Sequence, residues 1–364
     1  MPPKIVDVIE NDLCTVCGGC EGVCPVGAVK IEDGIAKIRD PRTMSYYEKG
    51  AAYDVCEDCY TCSRICPVVD GYVQDEYANV KRFFGAKSQL PGQDGGVVSA
   101  IVKSLLAKGE IDCAVGISRN EKWETEVILL TKPEDVDKTK GTKYSSDPVD
   151  AILHKAFEKY ERIAVVGVPC QVHAARLMRE NTTDKIAVII GLLCMESFTH
   201  DVLKNKVITE IMGLNIEDVT KMDFGKGKFW AYTKDGEAHS VKIPQVAPHA
   251  RTPCHHCIDY TSVNADISVG SVGTPDGWNC VMVRTDIGEK YMAMVDGLEY
   301  MEDPKPGMDL IAKLSGMKHS GNEEHYYEAL KRCSFYTPDA KPLIEEMMGS
   351  GDASGIATTQ PSSV

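Results

Sequence analysis

Cysteines carry the clearest chemistry in this chain. Cys14, Cys17, Cys20 and Cys24 precede Pro25 in a C-x2-C-x2-C-x3-C-P run, and Cys56, Cys59, Cys62 and Cys66 before Pro67 repeat it. Three thiolates on one tight loop can hold three irons of a [4Fe-4S] cluster, and the fourth of each run crosses to the other cluster. That rule assigns Cys14, Cys17, Cys20 and Cys66 to one cluster and Cys56, Cys59, Cys62 and Cys24 to a second. Gly18 and Gly19 are expected to let the backbone wrap close to the sulfides. A structural zinc site is the competing account, but zinc sites seldom show a three-step cysteine run repeated with a proline after its last member. Two such clusters make a wire for single electrons and do no chemistry on a substrate.

A second group is incomplete as written. Cys254 and Cys257 flank two residues, the spacing that lets neighbouring thiolates face one metal or cluster, yet two thiolates cannot close a site. Cys170 follows the apolar run ERIAVVGV and Pro169, and Cys194 ends IAVIIGLL. Open α/β sheets hold ligands at the carboxyl ends of their strands, so both stand where the missing ligands are wanted. A lone buried cysteine is otherwise a small apolar residue, the reading given to Cys113, Cys280 and Cys333. His255 and His256 are expected to be exposed, because four thiolates already complete a cluster.

The elements that position these residues can be read next. After Asp70 the cysteine density drops, and strand and helix patterns alternate from about Val80. The expected fold class is α/β (mixed α+β): an N-terminal two-cluster ferredoxin-like module over 1–80, an α/β domain over 81–345, and a Gly/Ser-rich disordered tail over 346–364. A loop around Met44 to Tyr53 lengthens the gap between the cysteine runs. In LPGQDGGVVSAIVKSLLAKG a glycine pair feeds a helix whose inner face is Val97, Ile101 and Leu105, with Val98 and Leu106 beside it. Such a loop is either a plain turn or a phosphate cradle built from backbone N–H groups.

Strands follow at 111–118 and 125–131, then the polar loop Gly141, Thr142, Lys143, Tyr144 and Ser145. That loop is either solvated or grips an aromatic, phosphate-bearing cofactor. Ser146 or Asp147 should cap a helix with Pro148 at its first position and Val149, Ile152, Leu153 and Phe157 inside. KMDFGKGKFWAYTKDGEAHSVKI reads as hairpin strands about a Lys-Asp-Gly turn, ADISVG as a short buried strand, and the stretch beyond Met308 as helical to near Met348.

Composition sets limits. A chain of 364 residues with 43 % apolar content can bury a sizeable core and is expected to hold two domains. With 40 Lys plus Arg against 54 Asp plus Glu the net charge is −14, which argues against non-specific nucleic-acid binding and requires a locally basic pocket for any acidic substrate. No apolar run is long enough to span a bilayer and no signal peptide is evident, so the expectation is a cytoplasmic protein, with peripheral docking on a membrane complex open to it. Fifteen cysteines in such a chain read as metal ligands rather than disulfides.

The ordered series GQDGGVVSAIV, GTKYSS, VGVPCQVHAARL, GLLC and PCHHCIDYTSVNADISVGSVGTPDGW resembles the beta-subunit family of coenzyme F420-reducing hydrogenases and related dehydrogenases, over roughly residues 81–290. With the twin cysteine repeat in front, the chain is most similar to members that feed electrons into a membrane-bound complex related to respiratory complex I. The resemblance implies FAD and a third [4Fe-4S] cluster in the larger domain, with Cys170, Cys194, Cys254 and Cys257 as its ligands. It places flavin contacts at Gly95, Gly96, Ser99, Thr142, Lys143 and Tyr144, and further ones at Gln171 and Asp266. Lys143 would either tune the isoalloxazine or pair a phosphate. Cys280 stands where the family suggests a small hydroxyl residue.

The implied activity is oxidation of F420H2 by hydride transfer to FAD, then release of single electrons. Arg176, Lys140 and Arg284 are candidate contacts for the anionic tail of the coenzyme, and the implied partners are other subunits of a membrane-bound dehydrogenase complex. Three rivals stand beside this reading: a soluble F420H2:ferredoxin oxidoreductase, a relative that reduces an organic substrate or sulfite, and an electron relay with no substrate of its own.

Overall fold

The computed structural model describes residues 4–32, 34–38, 59–72, 75–90 and 92–333. Cys56, the loop around Met44 to Tyr53 and the 346–364 tail lie outside them. The amino-terminal part contributes α1 (Lys4–Glu10), α2 (Gly19–Val23), the hairpin β1 (Val29–Glu32) and β2 (Ile35–Ile38), α3 (Thr61–Arg64) and α4 (Pro67–Asp70).

The larger part is built on an eight-stranded sheet. Its strands are β3 (Arg82–Ser88), β4 (Cys113–Arg119), β5 (Thr125–Leu130), β6 (Ile163–Gly167), β7 (Ile186–Leu192), then β11 (Ile267–Gly270), β12 (Asn279–Val283) and β13 (Leu298–Met301). A separate antiparallel sheet of β8 (Val219–Gly225), β9 (Lys228–Thr233) and β10 (Ala238–Lys242) interrupts the series. The order in the large sheet is β13-β3-β12-β11-β7-β6-β4-β5. Its centre, β11-β7-β6-β4, is parallel, and both flanks are antiparallel. The central strands are continuous Val/Ile runs because helices cover both faces. On one side lies α5 (Val97–Ala107); on the other lie α6 (Leu153–Phe157) and α7 (Pro169–Asn181). The set closes with α8 (Asp286–Met292) and α9 (Met308–Leu330).

The packing adds detail to these expectations. Ile5, Cys20, Val29 and Ile65 of the 1–80 segment share one core with Val149, Leu153, Val172 and Met178 of the larger part. Gly18 and Gly19 also have packing reasons. A Cβ on Gly18 (φ +95°) would stand 2.4 Å from the Ala151 nitrogen, and one on Gly19 would meet Ile65, Ala174 and Met178. Neither Ser146 nor Asp147 caps a helix: Val149–Ile152 is a tight turn leading into α6, with no side-chain cap. The Ser146 hydroxyl instead accepts from Arg251 Nη1 at 2.7 Å. On α5 the buried set is Val97, Ala100, Ile101, Val102 and Leu105, with Val98 and Leu106 only half-buried.

Candidate cluster and cofactor sites

Cys170 is the second residue of α7, directly after β6; Cys194 follows β7; and a helical turn, Thr252–His255, presents Cys254 with Cys257 just beyond. These three segments meet. All four thiols line one cavity with Thr15, Val168, Pro169, Met195, Ser197, Arg251, Pro253 and Lys318. Burial pushes the Cys170, Cys194 and Cys257 thiols upward, and mutual proximity adds to it: Cys170 feels Cys257, Cys194 and Cys254, and Cys194 is pushed up to about 12. Four thiolates gathered out of water need a positive core to offset their repulsion, so the donor set fits an iron-sulfur cluster. Among the described residues no three His, Cys, Asp or Glu side chains close on a point that a single ion would occupy.

The amino-terminal cysteines form two further groups. Cys20 and Cys66 each neighbour Cys14 and Cys62, and Cys17 neighbours both Cys20 and Cys170. Burial raises Cys14, Cys17, Cys20 and Cys66, the last to about 12, while backbone groups of Val16, Gly19, Glu21, Val68 and Val69 oppose the rise by hydrogen-bonding to the sulfurs. Main-chain N–H groups aimed at sulfur are what a cluster-binding loop supplies to lower thiolate charge. Cys24, Cys59 and Cys62 line a second cavity with Pro25, Val29, Ile38 and Tyr60, and Ala28 N donates to Cys24 Sγ at 3.2 Å. The three groups therefore stand in series, Cys170 beside Cys17 and Cys62 beside Cys20.

Gln93 is the hinge of the other candidate region. Its Oε1 accepts from Thr142 N at 3.0 Å and its Nε2 donates to Met222 O at 3.0 Å, tying the glycine-rich loop to the 141–145 loop and to β8. Gly95 and Gly96 precede α5, and Ser99 lies in its first turn. Both glycines have packing reasons: a Cβ on Gly95 would stand 2.7 Å from Ala86 O, and Gly96 has φ +64°. Tyr144 joins an aromatic group, its ring 5.0 Å from Phe224 and 6.1 Å from Phe229. Burial, then the charge of Arg119, pushes Lys143 down to about 8. Its Nζ donates to the carbonyls of Thr139 and Lys140, the latter at 3.2 Å, and not to a carboxylate. A half-buried cation held by carbonyls, in a loop that Gln93 ties to the glycine-rich segment before α5, suits an anionic group such as a phosphate.

Other sequence-predicted residues stand apart. Gln171 is buried and spans Val168 N (2.9 Å) and Asp147 O (2.7 Å), bracing the turn that carries Cys170. Asp266 is fully buried at the amino end of β11, where Arg179 Nη1 and Nη2, Ile189 N and Thr285 Oγ1 all donate to it. Four donors fill the acceptor sites of one carboxylate, which leaves nothing for a flavin. Arg284 is likewise consumed inside the fold by Ser268, Asn79, Thr261 and the Glu76 carbonyl. Arg176 pairs with Asp70 and Glu180, and Lys140 with Asp137, so neither is an unpaired cation awaiting a coenzyme. Cys113, Cys280 and Cys333 are buried.

Sequence reasoning missed Gln93, Arg251 and Lys318. The Lys318 signal was its spacing of four from Asn322 and eight from Tyr326, a polar stripe that otherwise reads as the wet face of a helix.

With this geometry in view, comparison with known proteins is direct. Residues 84–154 and 160–305 match the family described as coenzyme F420 hydrogenase/dehydrogenase, beta subunit, in its N-terminal and C-terminal parts, and residues 7–30 match a 4Fe-4S binding domain. The chain is 65 % identical over 340 residues to an F(420)H(2) dehydrogenase subunit of Methanosarcina mazei, spanning 93 % of this chain and 98 % of that protein. It is 38 % identical over 245 residues to the coenzyme F420 hydrogenase beta subunit of Methanococcus voltae, spanning 64 % of this chain and 87 % of that one. A chain of the xenon-derivatised F420-reducing [NiFe] hydrogenase complex from Methanosarcina barkeri superposes with a TM-score of 0.67 at 31 % identity, over 71 % of this chain and 95 % of that one. Among the described residues no helix is long and apolar enough to cross a membrane. The chain belongs to the coenzyme F420 hydrogenase/dehydrogenase beta-subunit family and carries a 4Fe-4S binding domain at its amino end.

Proposed function

We propose that this chain is an F420H2 dehydrogenase subunit that delivers the electrons of reduced coenzyme F420, singly, to a partner within a membrane-bound complex related to respiratory complex I. The observation that carries the reading is the convergence of Cys170, Cys194, Cys254 and Cys257 on one cavity beside Cys14 and Cys17. Those four would hold a [4Fe-4S] cluster; Cys14, Cys17, Cys20 and Cys66 a second; and Cys24, Cys56, Cys59 and Cys62 a third.

FAD, when bound, supplies the one conversion the reaction demands, because it accepts a hydride and gives up electrons one at a time. Lys143, Thr142, Tyr144, Gly95, Gly96 and Ser99 would hold it. Their contribution is orientation and charge: Gln93 fixes the two loops relative to each other, Lys143 supplies a cation, and the Tyr144 group gives an apolar wall. No side-chain acid or base is needed for hydride transfer, so positioning is the main task of the protein. Arg251, whose charge is felt by Cys14 and Cys170 alike, stands near both cysteine groups and would offset negative charge on clusters held there.

The test is anaerobic purification with iron and flavin quantified, then mixing with F420H2 and, separately, with NAD(P)H. Bound flavin and loss of the F420H2 signal with F420H2 alone are expected. A flavin-free chain inert to F420H2 would be a relay, and preference for NAD(P)H would sink the substrate assignment.

A further inference from the structure

The carboxy-terminal helix α9 presents Lys318, Asn322 and Tyr326 at a spacing of four, hence along one face. Each meets the Cys170–Cys257 site or its surroundings. Lys318 is 4 % exposed, and its Nζ donates to the carbonyls of Cys194 and Asp259, both at 2.7 Å. Asn322 Nδ2 donates to the carbonyls of Cys254 (2.9 Å) and Cys257 (2.7 Å). Tyr326 neighbours Cys257 on one side and Cys66 on the other, with its ring edge-on to Tyr72 at 5.1 Å. Two side chains thus grip the backbones of three of the four cysteines.

Lys318 has a further property. It lines the cavity itself, so its ammonium is a cation placed out of water beside the four sulfurs. Its Nζ is fixed there by the two carbonyls it donates to, a setting that suits an ammonium, which has donors and no acceptor. A second cation, the half-buried Arg251, lines the same cavity with its Nη1 donating to the Ser146 hydroxyl, whereas the buried Arg284 is engaged with Thr261, Ser268, Asn79 and the Glu76 carbonyl.

We propose that Lys318 is the resident counter-charge of a cluster held by Cys170, Cys194, Cys254 and Cys257, raising its reduction potential, while Asn322 fixes the loop that carries Cys254 and Cys257. This rests on the ligand-set reading above. A cube of charge 2+ in four thiolates is a dianion, and one added electron makes it a trianion. A fixed cation in a low-dielectric wall stabilises the second more than the first, which favours the reduced state. Lys318 is a positioning and tuning residue; it does not touch the substrate. The competing account makes it a structural partner of the buried Asp259.

The experiment compares full-length wild type with Lys318→Met, Lys318→Gln, Lys318→Arg and Asn322→Ala, by iron content and by redox titration followed by electron paramagnetic resonance. Met and Gln should lower the equilibrium constant for reducing this one cluster at least tenfold, about 59 mV for a one-electron couple, and leave the other clusters unmoved. Arg should restore the wild-type midpoint, and Asn322→Ala should broaden the signal with little change in midpoint. Loss of this cluster from Met and Gln but not Arg would equally support a need for charge. An unchanged midpoint in both neutral variants, or loss of the cluster from Arg as well, would overturn the inference and leave a packing role. Wild type with about eight irons rather than about twelve would instead sink the ligand set, separating that failure from this one.

Discussion

Arg179 clasps Asp266 with both ends of its guanidinium, Nη1 to Oδ2 at 2.7 Å and Nη2 to Oδ1 at 3.1 Å, joining α7 to the amino end of β11. Ile189 N and Thr285 Oγ1 complete the carboxylate's shell at 2.8 and 2.7 Å. The pair locks the helix whose second residue is Cys170 onto the sheet whose strand β7 leads to Cys194.

Removing Asp266 should therefore cost stability, not flavin. Asp266→Ala strands a half-buried guanidinium and an amide, and is expected to lower unfolding free energy by roughly 3–5 kcal/mol. Flavin bound per folded chain should stay unchanged. Chemical denaturation beside a flavin-to-protein ratio checks this; lost flavin at unaltered stability would restore the cofactor role.

Cys254→Ala removes one wall of the cavity and should lower iron content by about four atoms per chain, leaving the spectra of the amino-terminal pair intact. Cys113→Ala, buried in β4 and lining neither of the two cysteine cavities, is the control and should keep every iron.

Gly18→Ala tests whether the amino-terminal part and the sheet are one unit. The new methyl would press on Ala151 N and Pro148 O at a backbone angle of φ +95°, a penalty of roughly 1–3 kcal/mol. Thermal unfolding should stay a single transition at lower temperature. Two separate transitions would show the halves to be independent.

Lys143, pushed down to about 8, carries its charge below that pH and loses it above. Affinity of the apoprotein for FAD should accordingly fall as pH rises through about 8, with proton uptake on binding in the same range, because an anion favours the charged lysine. Lys143→Met should bind ~10- to 100-fold more weakly and show a flat profile. A pH-dependent Met variant would assign the titration elsewhere. Isothermal titration calorimetry in two buffers of different ionisation heat gives both quantities.

Much of this protein was legible in its residues. The strands ending at Cys170 and Cys194, the hairpin turning at Lys234–Gly236 and the helix after Gly96 emerge because apolar period and glycine placement are local properties. The cysteine runs were equally plain, since their spacing is itself the ligand geometry.

Other features escaped for a physical reason. Asp266 was placed with the flavin by family resemblance, yet Arg179, 87 residues away, claims it. Arg284 looked like a free cation until its burial against Glu76 and Thr261 appeared. Gln93 and Lys318 looked ordinary because their partners, Thr142 and Met222 in one case and Cys194 and Asp259 in the other, come from remote segments.

The amino-acid order by itself determined which thiols exist, how they are spaced within each loop, and that strands would deliver two more. Only the tertiary structure decided that Cys170, Cys194 and the Cys254–Cys257 turn share one cavity, that Thr15 also lines it, and that a lysine from the last described helix stands among the sulfurs. Spacing along a chain fixes short-range geometry, whereas charge compensation in a buried site depends on whichever distant group the packed core brings within reach.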